Sequence, residues 1–139
     1  MLKFYAVLIP TICGIAGCSS APDCAGQESK DAILDGAKKA QGMDAYILNR
    51  SPQFQRFTAT NTGSSEAYVA LLKEFSAAKK DFQLDDIVTV AKSPVGSLSC
   101  KATLSETIAG WGGATQEINY TVEKTSDGKT LVTSNNSGN

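Results

Sequence analysis

Histidine is absent from this chain of 139 residues. With it goes the side chain that most often serves as a general base near neutral pH and as a zinc ligand. Neither charge is in surplus: 13 Lys and Arg stand against 14 Asp and Glu, a formal charge of −1. That balance offers no basic surface to nucleic acid or to an anionic membrane. The basic doublets Lys38-Lys39 and Lys79-Lys80 read instead as cations near helix ends, where they favour the helix dipole. No GxSxG elbow, GxxxxGK phosphate loop or dinucleotide fingerprint occurs. Asp85 and Asp86 are adjacent, and in an extended segment neighbours point to opposite faces, so they make no carboxylate dyad. A glycosidase pair assembled from distant acids would leave no mark in the sequence. The expectation is a protein that is not an enzyme, with no cofactor and no metal.

Long apolar runs are scarce too, and the one present opens the chain. "MLKFYAVLIPTICGIAGC" has a single cation at Lys3, an uncharged, mostly apolar stretch from Phe4 to Gly17, and a small-residue ending. That is the order of an export signal. As a transmembrane helix the stretch would reach only about 21 Å, against a hydrocarbon core of ~30 Å. Pro10 and Gly14 weaken it further as a helix.

The end of this leader, Ile15-Ala16-Gly17-Cys18, resembles the lipobox of bacterial lipoproteins. The likeness covers about the first eighteen residues, with Ile at a position where Leu is commoner. In that family the cysteine thiol receives a diacylglycerol, the leader is cut before it, and the new amino group is acylated. The resemblance implies a signal peptide over 1–17 and a lipidated Cys18 whose partner is the lipid bilayer. By the family's sorting rule, Ser19 implies the outer membrane. Two or more acyl chains hold a protein stably on a bilayer, whereas one is marginal. The alternative is a plain secreted protein cut near Ala16 or Ala21. Without residues 1–17 the chain keeps 12 basic side chains against 14 acidic ones.

Four cysteines are present. On the lipobox reading Cys13 leaves with the signal and Cys18 carries lipid, so Cys24 and Cys100 remain for one disulfide in an oxidising compartment. The alternative is two free thiols. A bridge would close about 75 residues, which the chain-entropy treatment values at roughly 4 kcal/mol as an upper figure. Between lipid and bridge lie only residues 19–23, at most about 20 Å of chain. The organisation expected is a signal over 1–17, a lipidated cysteine and tether over 18–26, one domain over 27–134, and a polar tail over 135–139.

Hydrophobic residues at 42% and charged residues at 19% suit a folded domain rather than a disordered chain. Residues 29–40 place Ile33, Leu34, Ala37 and Ala40 at helical spacing, with Ser29 as the expected cap and Gly42 as the stop. Residues 43–63 are harder to read. "DAYIL" suits a helical turn or a short strand, Pro52 argues against a central strand, and Phe54 and Phe57 suggest a helical turn after Ser51. "SSEAYVALLKEFSAAKKDF" is the strongest helix, with Tyr68, Leu71, Leu72, Phe75, Ala78 and Phe82 in one stripe.

After Leu84 the period changes to two. "DIVTVA" reads as a strand, "SLSCKATL" buries Leu98, Cys100, Ala102 and Leu104, and "EINYTVEK" buries Ile118, Tyr120 and Val122. Asp127-Gly128 makes a hairpin turn, and a two- or four-residue loop puts Leu131 on the face of Val122. The fold class expected is α+β, with N-terminal helices packed on one face of an antiparallel meander of about four strands.

Glu106 to Gln116, "ETIAGWGGATQ", joins the two cleanest strands and holds three glycines and the only tryptophan. An exposed Trp111 flanked by Thr107 and Gln116 would make a binding loop; the alternative is that Trp111 folds back over the sheet edge or packs on the helices, with the glycines merely turning the chain. The functional expectation is a lipid-anchored, non-enzymatic interaction module in the periplasm, bound to a protein or envelope component and not to nucleic acid. The alternatives are a protective lipoprotein (a hydrolase inhibitor, immunity protein or phage or plasmid exclusion factor) and, third, a small envelope hydrolase. The helix-rich first half does not resemble the mostly β lysozyme-inhibitor lipoproteins.

Overall fold

The computed structural model describes residues 21–41, 43–60 and 64–134. The signal and Cys18, and the 135–139 tail, lie outside the described residues. Helix α1 (Gln27–Ala40) starts two residues before its expected cap. Gly26 takes the cap position, and Ser29 is buried inside the helix, donating its hydroxyl to Asp23 O at 2.7 Å. Glu28 in the first turn and Lys38-Lys39 in the last suit the dipole, as the doublet predicted. Gln41, at φ 50, turns left-handed and ends the helix.

The stretch that resisted reading folds as two short helices, α2 (Asp44–Arg50) and α3 (Pro52–Ala59). Ser51 joins them. Its Oγ donates to Leu48 O at 2.7 Å, closing α2, and accepts from Phe54 N at 3.2 Å, opening α3. Pro52 then occupies the first helical position, where its missing N–H is no loss. "DAYIL" is therefore helical, and Phe57 reaches across to Tyr68 with centroids 5.9 Å apart.

Helix α4 (Ser65–Ala77) is capped by Ser64, whose Oγ accepts from Ala67 N at 3.3 Å. Of its predicted stripe only Phe75 is buried; Leu71 and Leu72 are half-buried and Tyr68 is exposed. The helix stops at Ala77, so Lys79 and Lys80 lie beyond it and the dipole reading of that doublet fails. Lys80 and Phe82 belong to the first strand.

Strands β1 (Lys80–Lys92), β2 (Leu98–Ile108), β3 (Gly112–Lys124) and β4 (Thr130–Ser134) form one antiparallel meander in sequence order. Strand β1 begins well before "DIVTVA" and is bent by an irregularity between Asp85 and Val88, where Asp86 sits at φ 51. The inner row of β2 is Leu98, Cys100, Ala102, Leu104, Glu106 and Ile108, all buried. Ile118, Tyr120 and Val122 continue it on β3, as the alternation predicted.

The last hairpin differs from expectation. Thr125 O accepts from Gly128 N at 2.9 Å, and Gly128, at φ 81, adds the left-handed residue of a three-residue turn. An odd loop reverses parity, so Val132 faces Val122 while Leu131 faces Glu123 and is exposed. The protein is α+β, with its helices on one sheet face. Helix α1 touches both outer strands, β1 and β4, and α2 touches β3.

Candidate functional site

The inner sheet face has two ends, and α1 meets them differently. At the first, Cys24 is bonded to Cys100 with Cα atoms 5.8 Å apart, the pairing expected of these two thiols. Cys100 lies between Thr89 and Tyr120 on the neighbouring strands. Both reach the same residue: Thr89 Oγ1 donates to Cys24 Sγ at 3.2 Å and Tyr120 Oη to Cys24 O at 2.8 Å. Burial, and then the charge of Asp23, push the Tyr120 phenol up, so it stays a donor. Outside this knot, Glu28 accepts from Thr130 Oγ1 and, at 3.2 Å, from Lys124 Nζ; these bonds hold its carboxyl below the usual range.

At the other end α1 stands away from the sheet, and a cleft of about 650 Å³ lies between them. Its helix wall is made by Ile33, Gly36 and Ala37, and its sheet wall by Leu104, Ile118 and Val132. A Cβ on Gly36 would meet nothing within 4 Å. The cleft is therefore mainly apolar and half open, of a size typical of small-molecule sites.

Glu106 interrupts that lining. The residue is 1% exposed, and its Oε1 has no hydrogen-bond partner. Desolvation, then the hydrogen bond and charge of Asp44, push its carboxyl up to about 7, with Lys80 pulling the other way. Asp44, at the start of α2, is ion-paired through Oδ2 with Lys80 Nζ, while its Oδ1 is also without a partner. Lys80 Nζ lies 5.9 Å from the centre of the Phe75 ring, which meets Trp111 edge-on at 5.1 Å. The three elements α2, β1 and β2 thus bring together two carboxyls and one ammonium.

The expected binding loop is not assembled. Ladder pairing runs through it to Ile108 and Gly112, leaving only Ala109, Gly110 and Trp111 as the turn. Trp111 is 7% exposed and packs on Phe75, the second of its two expected uses. Thr107 lies on the outer row beside a shallower depression with Tyr46, whereas Gln116 lines the inner cleft. Sequence reading missed Glu106, although its parity with Leu104 and Ile108 marks it as inward.

No family model, curated protein or solved structure matches this chain. Among the described residues, no helix is long and apolar enough to cross a membrane, and no three His, Cys, Asp or Glu side chains gather as a metal site would need.

Proposed function

We propose that this protein is a lipid-anchored binding module of the bacterial envelope, held on the outer membrane through acylated Cys18 and facing the periplasm. The lipobox-like Ile15-Ala16-Gly17-Cys18 supports the anchor, and the Cys24–Cys100 bridge supports an oxidising compartment. Since Cys24 is fixed to the sheet, the tether is residues 19–23 alone, and the domain rides within about 20 Å of its membrane.

One observation carries the binding reading: an apolar cleft of about 650 Å³ holding a buried carboxyl whose Oε1 is unpaired. Glu106 is also the best argument for a hydrolase, because a carboxyl near pH 7 is a suitable general acid. Its acidic neighbour here, Asp44, raises it through hydrogen bonding and charge, which act at contact range. Glycosidase carboxyls stand about 5 Å or more apart to admit the scissile bond. The pair suits holding a group rather than cleaving one.

Intact-mass spectrometry of protein extracted from membranes tests the anchor and the bridge together. The expected species begins at Cys18, carries acyl chains, and gains about two daltons on reduction. An unacylated mature chain in the soluble fraction would overturn the anchor. Native-mass spectra of the same material test the cleft, with a small molecule released by unfolding as the expected result.

A further inference from the structure

Around Glu106 there is a shortage that can be counted in chemical groups. Two carboxylates and one ammonium leave the Asp44–Lys80–Glu106 cluster one positive charge short when all three ionise. Two acceptor atoms, Glu106 Oε1 and Asp44 Oδ1, are buried without a donor. Buried acceptors of this kind are normally satisfied, and leaving one unmade costs about 1–3 kcal/mol. A proton on Glu106, shared with Asp44, relieves the charge and joins the two carboxyls, but Glu106 holds it only up to about pH 7. Water would supply donors without charge. An ammonium group supplies both.

The walls say what the rest of the ligand is. From Glu106 the cleft runs along Leu104 and Ile118 beneath Ile33, Gly36 and Ala37, with Gln116 and Ser134 as the other polar side chains of its lining. We propose, extending the binding reading above and resting on it, that this cleft takes a small amphiphilic amine whose ammonium sits on Glu106 and whose apolar body lies between α1 and the sheet. A cleft walled on both sides and of this volume suits a small molecule better than a folded partner. Selectivity follows from the head: a carboxylate of the same shape would meet Glu106 and Asp44 as like charges, and an alcohol would bring a donor without charge.

The test uses the mature protein in phosphatidylcholine vesicles at pH 8, with empty vesicles as the blank. Three probes share one body, 4-phenylbutylamine, 4-phenylbutanol and 4-phenylbutyrate, and binding is read by fluorescence of Trp111, the only tryptophan, and by saturation-transfer NMR. The amine is expected to bind at least about tenfold tighter than the alcohol, with the carboxylate weakest. Glu106→Gln should bring the amine down to the level of the alcohol and leave the alcohol unchanged. Gly36→Leu, which fills the cleft from the helix side without touching Glu106, should weaken amine and alcohol alike. An amine no tighter than the alcohol, or a preference that survives Glu106→Gln, overturns the assignment of the head while the apolar cleft stands. If none of the probes binds, or if Gly36→Leu changes nothing, the cleft reading falls with it.

Discussion

At its first turn α1 is held to the sheet by a disulfide, by the Tyr120 phenol on Cys24 O, and by Thr130 and Lys124 on Glu28. Near its last turns the same helix stands off the same sheet, over a cleft, with Gly36 facing empty space. Both ends bury polar groups, yet they treat them differently. Around Cys24 the buried hydroxyls of Ser29 and Tyr120 each have an acceptor within 2.8 Å. Among the described residues, the buried side-chain oxygens without a partner are on Asp44, Gln53 and Glu106, and all three belong to the β2–β3 hairpin end. Gln53 is tied there through its Nε2, which donates to Gly110 O. The first end is built for stability. The second keeps unmet polar groups beside an apolar hollow, which is how binding sites depart from the rules of cores.

Breaking the sealed end should have the largest effect. Replacing Cys24 and Cys100 together by Ala removes a cross-link across a sequence separation of 76 residues. The expected loss is up to about 4 kcal/mol, read from urea unfolding of protein with and without the bridge. A loss under about 1 kcal/mol would mean that the phenol and the Glu28 contacts alone fix α1, and the contrast between its ends would shrink.

Next comes the open end, where the sign reverses. Glu106 has its carboxyl raised from 4.5 to about 7 in the folded protein. Between those values the folded state holds more protons than the unfolded chain, so stability falls as pH rises through that window and levels off above it. The loss is about 1–3 kcal/mol, because each tenfold difference in proton affinity between the two states is worth about 1.4 kcal/mol. Glu106→Gln should therefore be more stable than the parent at pH 8 by about that much, with the gap closing by pH 4.5. A gap that stays constant with pH would show that Glu106 is not held near neutrality. At the sealed end, Tyr120→Phe should destabilise by about 1–2 kcal/mol at any pH below the phenol's ionisation, because Cys24 O loses its donor inside the core.

Much of this architecture is legible because two strands keep a strict period. From Leu98 to Leu104 and from Ile118 to Val122 every second residue is apolar, and Cys100 falls in that row, so its burial against Cys24 can be read directly. Elsewhere a single residue hides the pattern. Ser51 ends one helix and starts the next, leaving pieces of 7 and 8 residues that are too short to show a helical period. Asp86 bends β1 and slips its register, and left-handed Gly128 adds the odd residue that turns Leu131 outward. The glycines around Trp111 look like loop freedom. Gly113 in fact sits in the ladder, where a Cβ would come within 2.9 Å of Glu106 O. The cleft is out of reach of sequence altogether, because α1 and all four strands contribute to its walls. Glu106 is within reach by parity, but a charged residue after an apolar row looks like the end of that row rather than its continuation.

The smallest effect bears on whether the cleft stays open. Gly36 lies in the middle of α1, where glycine is unfavourable by about 1 kcal/mol relative to alanine. A methyl there would meet nothing within 4 Å, so Gly36→Ala should gain most of that figure with no clash. Urea midpoints of the two proteins give the answer at fixed pH. Were α1 to close onto Leu104 and Ile118 in solution, the added methyl would have to fit against the sheet, and the substitution would be neutral or destabilising. A gain in stability is what an open cleft requires, since only then does the helix keep its improved propensity without meeting the opposite wall.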